Sequence, residues 1–203
     1  MRYKDYVDVF SEDRAATLAP HQPTDHAIDL EPGFNLSYGQ IYNLLDVKPK
    51  TLKAYIKTTL ANGFIQPSSS AAAAPILVVK KKDGGLRLSV DYQALNSATV
   101  KNRYPLQLFS DMLNRLRGAR IFTKLDLLNS YHLIRNKEGD KYQTEFPTQY
   151  GQFKYQVMLF VLTNAPAKFE AYMDHYLQPF AEDFAVCNLD NILIYLTNEE
   201  DHE

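Results

Sequence analysis

In three parts of the chain, mostly apolar residues recur at the spacing that places them on one face of a helix. The first face predicts a helix over 50–61, with Pro49 at its start and Gly63 after its end. A second helix is predicted over 106–117, and a third begins at Pro166. The three faces consist of Leu52, Tyr55, Ile56, Thr59 and Leu60; of Phe109, Met112, Leu113 and Leu116; and of Phe169, Tyr172, Met173, Tyr176, Leu177 and Phe180.

Other segments have the composition or the alternation of apolar and polar residues that is typical of strands. Residues 76–82 and 86–90 flank Asp83-Gly84-Gly85. Glycine accepts the positive φ that tight turns need, so these residues predict a β-hairpin. Strands are also predicted at 121–126 and 153–158. Because helices and strands are mixed without regular βαβ alternation, the pattern predicts an α+β fold with an antiparallel sheet.

Two carboxylates lie where strand-like runs end. Asp126 closes the run 121–126, and Asp190 lies between the two apolar runs of 184–195, at a predicted tight hairpin. Two such acids on adjacent strands can share a pair of Mg²⁺ ions for phosphoryl transfer. Asn191 follows Asp190; an acid at this position would complete the site, whereas an amide does not.

The net charge of −2 hides a strong asymmetry along the chain. Residues 80–124 have a local balance of +7, whereas residues 174–203 contain eight acids and no Lys or Arg. A basic segment is typical of proteins that bind nucleic acid or a nucleotide, although solvated helix and strand faces give the same count. The cations of the basic segment are Lys80, Lys81, Lys82, Arg87, Lys101, Arg103, Arg115, Arg117, Arg120 and Lys124.

The bulk composition excludes several classes of protein. A length of 203 residues, with 45% hydrophobic residues, fits one domain or two small lobes. Cys187 is the one cysteine of the sequence, so no disulfide framework can form, and its apolar surroundings predict a buried strand residue. The sequence has neither a membrane-length apolar run nor a signal-peptide core, so we expect an intracellular protein, in the cytoplasm or the nucleus, without a membrane partner.

Short motifs follow one another over residues 20–203. They comprise Gly63 to Ser70, Ala74 to Arg87, Val90 to Tyr92, Ala94 to Asn96, Asn102 to Leu106, Phe122 to Leu127, Tyr131 with His132, Leu162 to Ala167, and Leu189 with Asp190. In this order and spacing, they resemble the reverse transcriptase of gypsy-type LTR retrotransposons.

The resemblance implies a right-hand polymerase fold whose antiparallel palm sheet packs on helices. Fingers are expected at 36–99 and 136–158, and palm at 100–135 and 159–203. Residues 1–35 are polar and without a clear period, which predicts an extension or linker. A chain of this length would end just past the palm hairpin, without thumb or ribonuclease H, and so would be a fragment of a polyprotein.

The resemblance also implies a metal site. Members of this family hold two Mg²⁺ ions with three aspartates: one ion lowers the pKa of the primer 3′-hydroxyl, and the other binds the triphosphate and stabilises the leaving pyrophosphate. By motif, Asp126 is the first ligand, Asp190 the second, and Asn191 occupies the third position. The expected partners are an RNA or DNA template–primer, a deoxynucleoside triphosphate and other segments of the polyprotein.

Four further residues are assigned to the nucleotide by the resemblance. Lys82 and Arg87 are expected on the triphosphate, and a mobile ammonium with a guanidinium fork suits its oxygens. Tyr131 resembles the aromatic gate that excludes a ribose 2′-hydroxyl, and Phe160 lies in a motif beside the nucleotide. Without the resemblance, Lys82 and Arg87 are ordinary exposed hairpin charges, and Tyr131 is a core aromatic residue.

Several motif positions depart from the family pattern. Asn188 replaces an aromatic residue, Asn191 an aspartate and Val161 a glycine, and Leu128 stands where arginine is frequent. Losing one unit charge about 4 Å from a cation costs roughly 4 kcal/mol at an effective dielectric near 20. A cost of this size in the transition state lowers the rate of nucleotide addition roughly a thousandfold. The departures fit mutational decay, and they also fit selection for a non-catalytic role.

Three functions follow from these observations. The first is an RNA-directed DNA polymerase domain whose chemistry is impaired by Asn191. The second is a non-catalytic nucleic-acid-binding remnant of the same element, which uses the basic segment. The third is an unstable relic or an interaction module with no ligand.

Overall fold

The computed structural model describes residues 4–36, 38–39, 49–80, 86–105, 107–181 and 183–198. In these residues the α-helices are α1 (Glu12–Ala15), α2 (Pro49–Ala61), α3 (Gln93–Ala98), α4 (Phe109–Arg115) and α5 (Ala165–Ala181). The strands are β1 (Ile65–Pro67), β2 (Ile76–Lys80), β3 (Leu86–Val90), β4 (Ile121–Asp126), β5 (Phe146–Thr148), β6 (Gly151–Tyr155), β7 (Ala185–Asn188) and β8 (Asn191–Leu196). Short 3₁₀ segments cover Lys4–Phe10, Ser130–Leu133 and Lys141–Thr144.

The chain divides into two compact units. The first consists of Met1–Val100 with Tyr131–Thr163, and the second of Lys101–Ser130 with Asn164–Glu203. Each unit has its own antiparallel sheet, and each sheet pairs segments that are distant in the sequence. The described elements are therefore those of an α+β protein, as the sequence predicts.

The first unit contains a three-stranded sheet and a separate hairpin. The sheet has the order β1-β6-β5, and β2 pairs with β3 from Ile76↔Val90 to Lys80↔Leu86. The core of the sheet is aromatic: Phe146 is fully buried, and its ring centroid lies 6.0 Å from that of Phe153 and 5.0 Å from that of Tyr155. The predicted hairpin of 76–90 is confirmed in its two strands, and its turn lies outside the described residues.

Part of the predicted N-terminal extension is integrated into the first unit. The Arg135 guanidinium donates a hydrogen bond to the Ala19 carbonyl at 3.0 Å, and the Ile28 amide donates to the Asp140 carboxylate at 3.0 Å. His26 forms a parallel bridge with Asn136, and both side chains are buried. Single hydrogen bonds and buried side chains attach residues 19–28 without a long helix or strand, which accounts for the absence of a sequence period there.

The second unit contains a three-stranded antiparallel sheet of order β4-β8-β7, in which β8 is central and β4 and β7 are edge strands. Helix α5 packs against β7. Phe169 and Met173 of α5 are buried, as are Val186 and Cys187 of β7, so the core of this unit lies between the helix and the strand. The buried position of Cys187 agrees with the sequence prediction.

The predicted elements are present with shifted ends. The helix predicted at 106–117 spans Phe109–Arg115, and the strand predicted at 153–158 spans Gly151–Tyr155. The apolar face predicted for α5 is buried only in its first half, since Tyr176 is 50% and Phe180 45% exposed. A helix of this length spans about 25 Å, whereas a four-residue strand spans about 13 Å, so β7 covers only part of the face.

Within the described segments, no helix combines the length and the apolarity that crossing a bilayer requires.

Candidate active site

Strand β4 carries Asp126 to the end of the second unit's sheet. Exposure alternates along this strand: Phe122, Lys124 and Asp126 are exposed, and the intervening residues are half-buried. Asp126 is the cross-strand partner of Asn191, the first residue of β8. Directly opposed residues of an antiparallel pair point to the same face, so the two side chains lie on one face of the sheet.

The hairpin between β7 and β8 brings Asp190 to the same end. Asn188 pairs with Asn191, so the loop consists of Leu189 and Asp190 alone. The Leu127 amide donates to the Asp190 carbonyl at 2.9 Å, which attaches the loop to the end of β4. The backbone of Asp190 therefore lies beside the end of β4, the strand that Asp126 closes.

Asn191 contacts the neighbouring carboxylate directly. Its side-chain Nδ2 donates a hydrogen bond to Oδ1 of Asp190 at 2.9 Å. Its Oδ1 is buried and finds no hydrogen-bond partner in the described part of the chain. A buried oxygen without a partner costs about 1–3 kcal/mol. The amide of Asn191 is thus neutral, and it engages one oxygen of the Asp190 carboxylate.

Three acids lie in or near this hairpin. Burial, together with the negative charges of Glu170, Asp174 and Asp190, raises the pKa of the Cys187 thiol to about 12. Glu170 is 3% exposed, and burial together with the charge of Asp174 raises the pKa of its carboxyl group. Ionised acids near the hairpin favour a bound cation.

Asp126, Asp190 and Asn191 offer oxygens of the kind that a divalent cation binds. Asp126 and Asp190 supply carboxylates, the ligands that hard cations such as Mg²⁺ prefer, and the unpartnered Oδ1 of Asn191 is a third, neutral oxygen. Among the residues that the structure describes, no three His, Cys, Asp or Glu side chains are placed to hold a metal ion. Two neighbouring divalent ions need more negative charge than two carboxylates provide.

The residues assigned to the nucleotide belong to the first unit. Tyr131 and Phe160 contact each other edge to face, with ring centroids 6.4 Å apart, and Phe160 is 46% exposed. Arg87 lies on β3 opposite Val79, but its side chain is outside the described part, as is the whole of Lys82. The structure thus brings together Asp126, Asp190 and Asn191 in one unit, and Tyr131 with Phe160 in the other.

The remaining departures from the family pattern differ in their structural effect. Among the described residues, non-glycine residues with positive φ are Asn129 and Leu189, so Val161 does not adopt the backbone conformation that requires glycine. The Val161 carbonyl accepts a hydrogen bond from Asn96 Nδ2 at 2.8 Å. Leu128 is 58% exposed, so the apolar side chain at this position contacts solvent.

Six cations of the basic segment are exposed in the second unit: Lys101, Arg103, Arg115, Arg117, Arg120 and Lys124. Arg120, Phe122 and Lys124 follow one another at every second position, so alternation places them on the face of the strand that carries Asp126. Cations on both sides of an exposed aromatic ring suit the backbone and the bases of a nucleic acid.

Glu170 was missed by the sequence analysis. Its carboxylate accepts a hydrogen bond from the Leu189 amide at 3.4 Å, one residue before Asp190. The available signal was its position, because Glu170 lies four residues after Pro166 and three before Met173, on the side of α5 that includes Phe169. An acid on the buried face of a helix needs a partner, and here the partner is the hairpin.

The sequence is similar to a family model and to known polyproteins. A family model described as reverse transcriptase (RNA-dependent DNA polymerase) matches residues 79–203. The Tf2-7 and Tf2-8 transposon polyproteins of Schizosaccharomyces pombe are each 35% identical to the chain over 202 residues, which is 98% of this chain and 15% of each polyprotein. The chain thus spans about one seventh of the length of these curated relatives.

The fold is similar to that of solved viral polymerases. The protease–reverse transcriptase of prototype foamy virus has a TM-score of 0.76 at 19% identity, over 98% of this chain and 27% of the viral chain. A foamy viral protease–reverse transcriptase in complex with double-stranded DNA has a TM-score of 0.77 at 20% identity, over 90% of this chain and 32% of that chain. The α+β fold is therefore the right-hand polymerase fold of these structures.

The family model covers well over half of the residues, and it includes both strands that bear Asp126 and Asn191. The chain therefore belongs to the reverse transcriptase (RNA-dependent DNA polymerase) family.

Proposed function

We propose that the chain is the RNA-directed DNA polymerase domain of a retrotransposon polyprotein, and that its chemistry is impaired by Asn191. The observation that carries the proposal is the meeting of Asp126 with the Asp190–Asn191 turn across β4 and β8. Similarity to the transposon polyproteins supports the retrotransposon origin. We assign fingers to 36–99 and 136–158, palm to 100–135 and 159–203, and an extension to 1–35.

Asp126 and Asp190 are the proposed ligands of a divalent cation, with Asn191 as a neutral third ligand. A bound Mg²⁺ would supply Lewis-acid stabilisation of the triphosphate and lower the pKa of the primer 3′-hydroxyl. The residues of this chain contribute charge and position. Asp126 presents its carboxylate from the end of a strand, and the Leu127 amide holds the backbone of Asp190 beside it.

The deoxynucleoside triphosphate is assigned to the first unit. Lys82 and Arg87 would neutralise the phosphates, and Tyr131 would exclude a ribose 2′-hydroxyl. The edge-to-face contact with Phe160 supports the last role, because a ring fixed by a neighbouring ring can act as a steric gate. The template–primer is the proposed polymer, and other polyprotein segments are proposed partners, since the relatives are polyproteins.

A second function, nucleic-acid binding without catalysis, is favoured by one specific observation. Asn191 lacks the charge of the third ligand, whereas the exposed cations from Lys101 to Lys124 remain. Two of the similar foamy viral structures are complexes with double-stranded DNA and with an RNA/DNA hybrid. Catalysis can be lost while electrostatic binding is retained, because contacts to phosphates do not depend on the metal site.

Removing three of these cations is expected to weaken binding to an RNA/DNA primer–template and to reduce its salt dependence. In the Arg117→Gln, Arg120→Gln, Lys124→Gln variant, the slope of log Kd against log salt should fall by about two to three, because each lost phosphate contact removes about 0.9 from it. Fluorescence anisotropy titrations at salt concentrations between about 50 and 200 mM measure this slope. An unchanged slope would exclude this surface as the binding site.

The matched control neutralises three exposed lysines of α2, Lys50, Lys53 and Lys57, by the same change to Gln. It removes an equal charge outside the basic segment. We expect a clearly smaller change in slope, and an equal change would show that only net charge matters.

Primer extension separates the two proposed functions. With an RNA template, a DNA primer and Mg²⁺, we expect slow extension by the wild-type chain and none by Asp126→Asn, which should still bind the primer–template. Extension at the same rate in both proteins would refute the assignment of Asp126. Binding without extension in both, with no gain on restoring the third aspartate, would favour the non-catalytic function.

A further inference from the structure

The turn that presents Asp190 adopts a strained backbone conformation. Leu189, the first of its two loop residues, has a φ of 54°. Two-residue hairpins with positive φ at this position normally have glycine there, because a side chain adds steric strain. A branched residue in such a conformation costs about 1–3 kcal/mol and persists only where neighbouring groups determine it.

Two side chains bond both polar groups of the Leu189 peptide. The Glu170 carboxylate of α5 accepts from the Leu189 amide at 3.4 Å, and the Cys187 thiol of β7 donates to the Leu189 carbonyl at 3.2 Å. Glu170 and Cys187 are themselves buried, at 3% and 5% exposure. They contact the turn from behind, on elements that pack against each other, and so form a rigid support for it.

We propose that Glu170 is a positioning residue for the cation site, acting through the Leu189 amide on Asp190. The bond from α5 fixes the conformation of Leu189, and this conformation sets the direction in which the next residue leaves the turn. The Leu127 amide holds the carbonyl of Asp190 on the opposite side. The backbone that carries Asp190 is therefore hydrogen-bonded at three successive peptide groups. The inference rests on the proposed function only for the identity of the bound ion.

An ionised carboxylate is well suited to accept the hydrogen bond from the Leu189 amide. It is an acceptor only, so it cannot rotate to present a donor to the turn, and an ionised acceptor forms a stronger hydrogen bond. Glutamine keeps an acceptor oxygen at the same reach, whereas alanine keeps none. The pair of variants Glu170→Gln and Glu170→Ala thus separates the hydrogen bond from the side chain as a whole.

The test combines cation affinity with exchange of a single amide. Titration of Mn²⁺ into the full chain, followed by electron paramagnetic resonance, should show about tenfold weaker binding for Glu170→Ala, as expected for an outer partner of a metal ligand. Glu170→Gln should stay within about twofold of the wild-type protein. Hydrogen exchange of the Leu189 amide should accelerate in Glu170→Ala and remain slow in Glu170→Gln.

Urea unfolding of both variants distinguishes positioning from a general structural role. A purely structural Glu170 would lower the urea midpoint of Glu170→Ala but leave the Mn²⁺ affinity of the folded protein and the Leu189 exchange unchanged, and that result overturns the inference. A second outcome is that the wild-type chain binds no Mn²⁺, while hydrogen exchange of the Leu189 amide accelerates only in Glu170→Ala. In that case the proposed function fails, and the support of the turn by Glu170 stands.

Discussion

Replacing Asn191 with aspartate is expected to raise the rate of primer extension about a thousandfold. The change restores one unit charge beside the bound cation, worth roughly 4 kcal/mol at about 4 Å and an effective dielectric near 20. It also removes the Nδ2 donor that engages Oδ1 of Asp190. Single-turnover extension of a DNA primer on an RNA template in Mg²⁺ measures the effect.

Asn188→Asp is the matched control for this prediction. Asn188 is exposed and pairs with Asn191 across the same two-residue turn, so the control adds the same charge to the hairpin. It lies outside the proposed ligands, and we expect little gain in rate. Equal gains in the two variants would mean that the overall charge of the hairpin, and not the third ligand position, limits the rate. No gain in Asn191→Asp would show that another departure is limiting.

Acidification from pH 7 to pH 4 is expected to cost the wild-type fold about 3 kcal/mol through His132 alone. Burial lowers the pKa of this imidazole from 6.5 to about 4. Its ring packs on Phe64 with centroids 4.8 Å apart, and its buried Nδ1 has no partner among the described residues. The unfolded chain takes up the proton first, so the stability is complete above pH 6.5 and is lost as the pH falls towards 4.

Urea unfolding at pH 7, 5 and 4, compared between wild-type protein and His132→Asn, isolates this contribution. The variant has no titrating group at the position, so its free energy of unfolding should fall less on acidification, by about 3 kcal/mol. Parallel curves for the two proteins would show that the imidazole of His132 reaches solvent in the folded state.

Local sequence patterns predict the helices and strands of this chain well where residues close together in the sequence determine the structure. The strand 121–126 and the hairpin at Asp190 are present as predicted, because alternation and β-branched content act within a few residues. The helix from Pro49 to Ala61 likewise follows its periodic face. The exposed second half of α5 was not predicted, since burial there depends on the length of a neighbouring strand.

The candidate site was predictable in its residue types but not in its support. The family resemblance points to Asp126, Asp190 and Asn191, and the structure pairs Asp126 with Asn191, next to the turn that contains Asp190. The hydrogen bond from Asn191 to Asp190 and the bond from Leu189 to Glu170 depend on side-chain directions, which no periodicity encodes. Similarly, the attachment of Ala19 by Arg135 joins residues far apart in sequence through a single contact.

The pairing of β4 with β8 has a consequence for the order of folding. Asp126 and Asn191 lie far apart in the sequence and meet only through this pairing, so a long loop must close before the two residues are adjacent. Contacts of such high sequence separation form slowly compared with local helices. During synthesis, Asp126 and Asn191 therefore cannot become neighbours until β8 has left the ribosome, and opening of β8 separates them again.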